Sequence, residues 1–302
     1  MNKDAIEAFE DRLHELLEDN LSGSRLIAIR SAALMEEAAA NPEFSRTALI
    51  KLLKDACRSL ERIHGSMRVV TSLCDDVVLV LDTAPPEDKL RRKLEELFNR
   101  WNDLYRDRVE RRLLSNAVPL LAECGVLVSH SHSSTVLMVL QGLAEKRPGL
   151  RVIQSISSPN NEGLLMAQMI TEAGIEVELI ADAGLLEAVS KAEAVVVGAD
   201  VVGLDGVINK TGTYGLALAA QKFGKPIYAV FDTNKLLPPG KSVRIEERDP
   251  AELASPENER IRVRNVYFES TPLNLFTSFV TDEGVFDPDQ MRMVIENIVD
   301  GG

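Results

Sequence analysis

Five short apolar runs follow one another in the second half of the chain: Val126 to Ser129, Arg151 to Ser155, Val177 to Ile180, Ala194 to Val197 and Ile227 to Val230. Amphipathic stretches lie between them, at Thr135 to Glu145, Leu164 to Ala173, Leu185 to Ser190 and Tyr214 to Phe223. Strands covered on both faces read as continuous apolar runs, and strands that alternate with helices form a parallel sheet. The pattern therefore predicts an α/β fold with a Rossmann-like, doubly wound, mainly parallel sheet.

Before Cys124-Gly125 the period is helical. Ile6, Phe9, Leu13, Leu16 and Leu17 share one spacing, Leu26 and Ile29 a second, and Leu49, Leu52, Leu53 and Leu60 a third. Breaks stand at Ser22-Gly23-Ser24, Asn41-Pro42, His64-Gly65-Ser66 and Ala84-Pro85-Pro86. A fourth pattern, Leu90, Leu94, Leu97, Trp101, Leu104 and Val109, runs between charges of both signs that read as a solvated outer face. The expected organisation is an N-terminal helical domain over residues 1–118 and a Rossmann-like domain over 119–302.

Composition excludes several classes of function. A net charge of −13 opposes non-specific attraction to nucleic acid or an anionic membrane. No apolar run approaches the roughly 18 residues of a spanning helix, and the first twenty residues are too charged for a secretory signal. Cys57, Cys74 and Cys124 are isolated from one another, which fits a reducing cytoplasm and gives neither a disulfide framework nor a paired-cysteine zinc site.

In doubly wound sheets ligands bind beyond the carboxyl ends of the strands. After the first run comes Ser129-His130-Ser131-His132-Ser133-Ser134-Thr135, which holds two of the chain's four histidines among hydroxyl side chains. The amides of the following helix start, with those hydroxyls, suit a phosphate, while the alternative is a serine-rich helix cap. A His-X-His metal site lacks a third ligand in the sequence, so no metal and no cofactor is expected. After the fourth run come Gly198-Ala199-Asp200 and the glycine-rich stretch Gly206 to Tyr214, where Asn209, Lys210 and Thr211 lie just before a second helix start that suits an oxyanion or phosphate cradle. Asp200 follows a hydrophobic run, which suits it to general acid work. Neither the dinucleotide nor the phosphate-loop glycine spacing is present. After the fifth run Asp232-Thr233-Asn234-Lys235 places an acid and an amine at one sheet edge.

Taken in order, VLVSHSHSS, VVVGADVVGLDGVINKTGT, the DTNK loop, IEERDP at 245–250 and TSFVTDEGV at 277–285 resemble one family. It is the superfamily of the alpha, beta and delta regulatory subunits of eukaryotic translation initiation factor 2B, whose enzyme relatives are methylthioribose-1-phosphate isomerase and ribose 1,5-bisphosphate isomerase. The resemblance implies that the second domain binds ligand and dimerises. In the isomerases a cysteine follows a Thr-His after the first strand, and an aspartate closes the Gly-Ala-Asp motif. Here Ser129-His130 stand for Thr-His, Ser131 falls where the cysteine belongs, and Asp200 is the retained aspartate. An arginine-bearing element after the second strand, a phosphate clamp in the isomerases, is replaced by Ile156-Ser157-Ser158-Pro159. An N-terminal Arg-Gly-Ala element loses its glycine in Ile29-Arg30-Ser31-Ala32, which leaves Arg25 or Arg30 to reach a phosphate.

Moving hydrogen between C1 and C2 of a sugar phosphate needs a group that cycles as acid and base near neutral pH. A thiol with an ordinary pKa of about 8.5 is tunable, whereas a serine hydroxyl needs a partner base. The leading expectation is a regulatory-subunit-like protein that holds a phosphorylated sugar or nucleoside monophosphate without isomerase chemistry. Ser129, His130, His132, Ser133, Asn209, Lys210, Thr211, Lys235, Arg25 and Arg30 are the candidate ligand contacts. The alternative is an aldose-ketose isomerase with Asp200 as general acid and Ser131 or His132 in the vacated role, where His130 or His132 would be the base that activates Ser131. Expected partners are the phosphorylated small molecule, further copies of the chain as a homodimer or larger homo-oligomer, and other proteins, but neither nucleic acid nor membrane.

Overall fold

The computed structural model describes residues 3–19, 22–83, 86–103, 109–243, 245, 247–258 and 260–298. Leu104, Ala84-Pro85 and Glu246 of the sequence patterns lie outside the described residues. The chain divides into two compact units, Met1–Val109 and Glu110–Gly302.

The first unit is built from α1 (Lys3–Glu18), α2 (Ser24–Ala40), α3 (Arg46–His64), α4 (Arg68–Asp82) and α5 (Glu87–Asp103). Their apolar stripes meet in a core of Ile27, Met35, Leu49, Leu53, Leu60, Leu73, Leu90, Leu94 and Phe98, all under 2% exposed. The buried His64 Nε2–H donates to the Leu16 carbonyl at 2.9 Å, pinning α1 to the end of α3. On α5, Arg92, Lys93, Glu95 and Glu96 are exposed, which accounts for the mixed charges of that pattern.

Helix α6 (Val109–Leu121) opens the second unit rather than closing the first. Asn116 Nδ2 donates to the Thr281 carbonyl at 2.8 Å. Leu114 and Val118 lie so close to Gly142 that a Cβ there would stand 2.8 Å from Leu114 Cδ2. Helical periodicity alone does not reveal which core a helix joins, so the division falls at 109/110 and not at 118.

The remaining elements are β1 (Val126–Ser129), α7 (Ser134–Ala144), β2 (Arg151–Ser155), α8 (Glu162–Glu172), β3 (Glu176–Ile180), α9 (Leu185–Lys191), β4 (Ala194–Val197), β5 (Val201–Gly203), β6 (Gly206–Lys210), α10 (Thr213–Phe223), β7 (Ile227–Val230), β8 (Phe268–Thr271), β9 (Ser278–Val280), β10 (Val285–Phe286) and α11 (Pro288–Glu296). The main sheet runs β10-β9-β7-β4-β1-β2-β3 and is parallel except for β10. All five apolar runs are strands of it. Three small strands form a separate antiparallel sheet, β5-β6-β8. The stretch read from sequence as a glycine-rich loop is mostly β6, because Val207 and Ile208 pair across both neighbours. The chain winds outward from β1 to β3 and then returns to lay β4 on the other side of β1. In doubly wound sheets such a reversal marks the ligand crevice, here beyond the ends of β1 and β4, where the His130 loop and Gly198-Ala199-Asp200 lie. Among the described residues no helix is long and apolar enough to cross a membrane.

Candidate functional site

Beyond β1 the chain turns sharply at Ser131, whose φ of 63° puts a non-glycine residue in the left-handed region. Every polar group of Ser131 is engaged. Its amide donates to Ser157 Oγ at 2.8 Å, its carbonyl accepts from Gln154 Nε2 at 2.9 Å, and its hydroxyl donates to Glu162 Oε1 at 2.9 Å. Two residues on, Ser133 caps α7 by accepting from the Val136 amide at 3.3 Å. For Ser133 the structure favours the helix-cap alternative.

His130 is buried, and its ring is fixed at both nitrogens. Nε2–H donates to the Thr211 carbonyl at 2.8 Å, which leaves Nδ1 to accept from the Ser155 hydroxyl at 2.5 Å. Burial holds the imidazole below its ordinary pKa, outweighing the carbonyl bond and the charges of Asp182 and Glu162 that favour the cation. His130 is a neutral, doubly bonded post and not a base directed at Ser131. The close approach requires Gly212, where a Cβ would lie 2.8 Å from Nε2. His132, half-buried, continues the same loop.

The charged centre of the crevice is an ion pair. Lys210 Nζ lies 2.7 Å from Glu162 Oε1, with the two side chains 4% and 7% exposed. The ammonium also sits 4.2 Å from the centroid of the Tyr267 ring, over its face. Tyr267 hydroxyl in turn donates to Glu252 Oε2 at 2.5 Å. Glu162 is set in place by backbone packing. Gly163 presses so closely on the end of β2 that a Cβ would stand 1.9 Å from the Ser155 carbonyl oxygen, and α8 begins with Glu162 turned into the crevice.

Two other carboxylates meet backbone amides nearby. Asp182 accepts from the amides of Ser157 and Ser158 at 2.8 and 2.7 Å. Glu269 Oε1 accepts from Gly212 and Tyr214 at 2.7 and 2.9 Å and so occupies the amino end of α10. The helix start expected to cradle a phosphate already carries a protein carboxylate.

The other candidate residues divide. Asn209 Nδ2 donates to Thr213 Oγ1 at 3.0 Å, and Thr211 Oγ1 donates to the Val266 carbonyl at 2.8 Å, so both serve the β6–α10 junction. Asp200 is half-buried, and its amide donates to the Ile208 carbonyl at 2.9 Å. Lys235 is buried and donates to the Ala199 carbonyl at 2.6 Å, tying the DTNK turn to the Gly-Ala-Asp segment. Ser129 is buried on β1. Arg25 and Arg30 belong to the helical unit, where Arg30 pairs with Asp19 at 2.9 Å and Arg25 is half-buried. Among the described residues no group of three or more His, Cys, Asp or Glu side chains is placed to hold a metal.

Sequence reasoning passed over Glu162, Asp182 and Glu269. Glu162 and Asp182 follow β2 and β3 within a few residues, so strand-end inspection carried further would have found them. Glu269 sits on β8, whose pairing with β6 no local pattern announces.

The profile of the Initiation factor 2 subunit family matches residues 20–288. A Pyrococcus horikoshii protein named translation initiation factor eIF-2B subunit 2-like is 30% identical over 283 residues, covering 91% of this chain and 95% of that one. Ribose 1,5-bisphosphate isomerase of Archaeoglobus fulgidus is 35% identical over 175 residues, 56% of each chain. The crystal structure of translation initiation factor eIF-2B from Pyrococcus horikoshii OT3 superposes with a TM-score of 0.79 at 29% identity, covering 96% of this chain and 99% of that one.

Proposed function

The chain belongs to the Initiation factor 2 subunit family, and from that premise we propose that it is a regulatory-subunit-like member without aldose-ketose isomerase chemistry. Its strand-end crevice is the place where a phosphorylated sugar or nucleoside monophosphate binds without turnover, and it works through further copies of itself or other protein partners. One observation carries the loss of chemistry. The hydroxyl that stands where the isomerases carry a thiol donates to Glu162, and the accepting oxygen is already held by the Lys210 ammonium. That oxygen cannot take the Ser131 proton without giving up the ammonium. His130 offers no substitute, since both its nitrogens are bonded elsewhere. A proton shuttle needs a group free to change state, whereas the Ser131 hydroxyl and both nitrogens of His130 are engaged by other groups.

Asp200 favours a second reading, an isomerase acting on a sugar 1-phosphate, because an acid remains at the end of β4 beside the crevice. Incubation with ribose 1,5-bisphosphate and with methylthioribose 1-phosphate, followed for ketose product, separates the two. We expect no product above background from the wild type, and none from Ser131→Cys, because the arginine clamp is still missing and Lys210 still engaged. Turnover by the wild type that Asp200→Asn abolishes would establish the isomerase instead.

A further inference from the structure

We propose that Glu162 is a built-in anion occupying the place of a phosphoryl group on Lys210, so that a phosphorylated ligand enters this crevice only by displacing it. The inference rests on the reading above that the crevice is the ligand site, and it adds what governs entry. Lys210 is a cation that these strand ends offer to an incoming anion, and its side chain is only 4% exposed while its Nζ lies 2.7 Å from Glu162 Oε1. The other inducements to an anion are met in the same way, by Asp182 on the Ser157 and Ser158 amides and by Glu269 on the amino end of α10. Three carboxylates of the chain thus stand against three sets of donors at the segments that follow β1, β2 and β6.

Glu162 differs from the other two in how it is held. Asp182 accepts through both oxygens and Glu269 through one oxygen from two amides, and all of these donors are backbone. Glu162 is held at Oε1 by two side chains, Ser131 and Lys210, while its buried Oε2 has no hydrogen-bond partner among the described residues. A buried carboxylate oxygen without a donor is costly, which lowers the free energy needed to move this side chain out. An incoming phosphoryl group would take up the Lys210 ammonium and the Ser131 hydroxyl with more acceptor oxygens than Glu162 brings. The device makes occupancy a competition between an internal carboxylate and an external anion at one ammonium.

Calorimetric titration with inorganic phosphate and with ribose 5-phosphate, in a buffer free of phosphate, tests this on the full chain. Removing the charge in Glu162→Gln is expected to tighten ribose 5-phosphate binding at least about tenfold over the wild type, the span of one charge-assisted bond. The gain should vanish in the double variant Glu162→Gln with Lys210→Met. Equal affinity of wild type and Glu162→Gln overturns the proposal, as does a gain that survives loss of Lys210. Glu162→Ala replaces the glutamine variant if that one does not fold. Failure of both to fold also overturns it, because a carboxylate the fold cannot lose is not a displaceable occupant. Turnover is a separate readout: product formation by the wild type overturns the non-catalytic reading, whereas absent binding gain overturns only this inference.

Discussion

Lys210 and Glu162 are both more than nine-tenths covered, and each supplies the other's nearest counter-charge. Truncating one partner of a buried pair strands the other in a poorly solvated place, at a cost of about 3–5 kcal/mol. Lys210→Ala is therefore expected to lower urea-unfolding stability by about that much, and Lys210→Met with Glu162→Leu by clearly less. A Lys210→Ala protein as stable as the wild type would mean that the pair does not form. His130 sets a pH dependence. Because burial lowers its pKa in the folded state, the unfolded chain takes up the proton first as pH falls. The contribution of neutral His130 is complete above about pH 6.5 and is lost as pH drops through the lower folded value. Stability measured between about pH 7.5 and pH 5.5 should fall less steeply in His130→Gln than in the wild type. Parallel slopes would rule out the imidazole as the source.

Helix α8 owes its position to the absence of a side chain at Gly163. A Cβ there meets the Ser155 carbonyl oxygen at 1.9 Å, and backbone cannot rotate away as a flexible side chain can. Gly163→Ala should push α8 off the end of β2 and lower stability by roughly 1–3 kcal/mol or more, read as a fall in the thermal midpoint. The same displacement would carry Glu162 from Lys210, so an unchanged midpoint would show that α8 does not pack as described. Helix α10 depends on a distant acid. Glu269 reaches from β8 to the Gly212 and Tyr214 amides, and its loss in Glu269→Ala should cost about 0.5–2 kcal/mol, as for an ordinary cap.

The two units have separate cores, and α6 belongs with the second. A fragment of residues 110–302 retains Leu114 and Val118 against Gly142 and the bond from Asn116 to Thr281. A fragment of residues 119–302 loses these and uncovers the surface beneath them, so it should be less stable by about 2–5 kcal/mol in urea unfolding. Equal stability of the two fragments would return α6 to the helical half. Below the melting range the longer fragment should unfold as one cooperative unit, since its sheet and helices share a continuous core from Val128 through Phe231 to Ile295.

Hydrophobic period alone specified the five parallel strands, the helices between them and the helical character of the first unit, because burial on one face or two is written locally, residue by residue. The strand-end rule then led to His130, Ser131, Asp200 and Lys210 without knowledge of the sheet order. What the side chains of His130, Ser131 and Lys210 touch was decided in three dimensions. Lys210 reads as a phosphate ligand until Glu162, forty-eight positions earlier, is folded against it, and the amino end of α10 reads as an open cradle until Glu269 arrives from β8. Residue types and spacings record what a group offers, whereas partners distant in the chain determine whether that offer is already taken. Charges and hydrogen bonds act over a few ångströms of space without regard to sequence separation, so the state of the crevice emerged only once the chain had closed on itself.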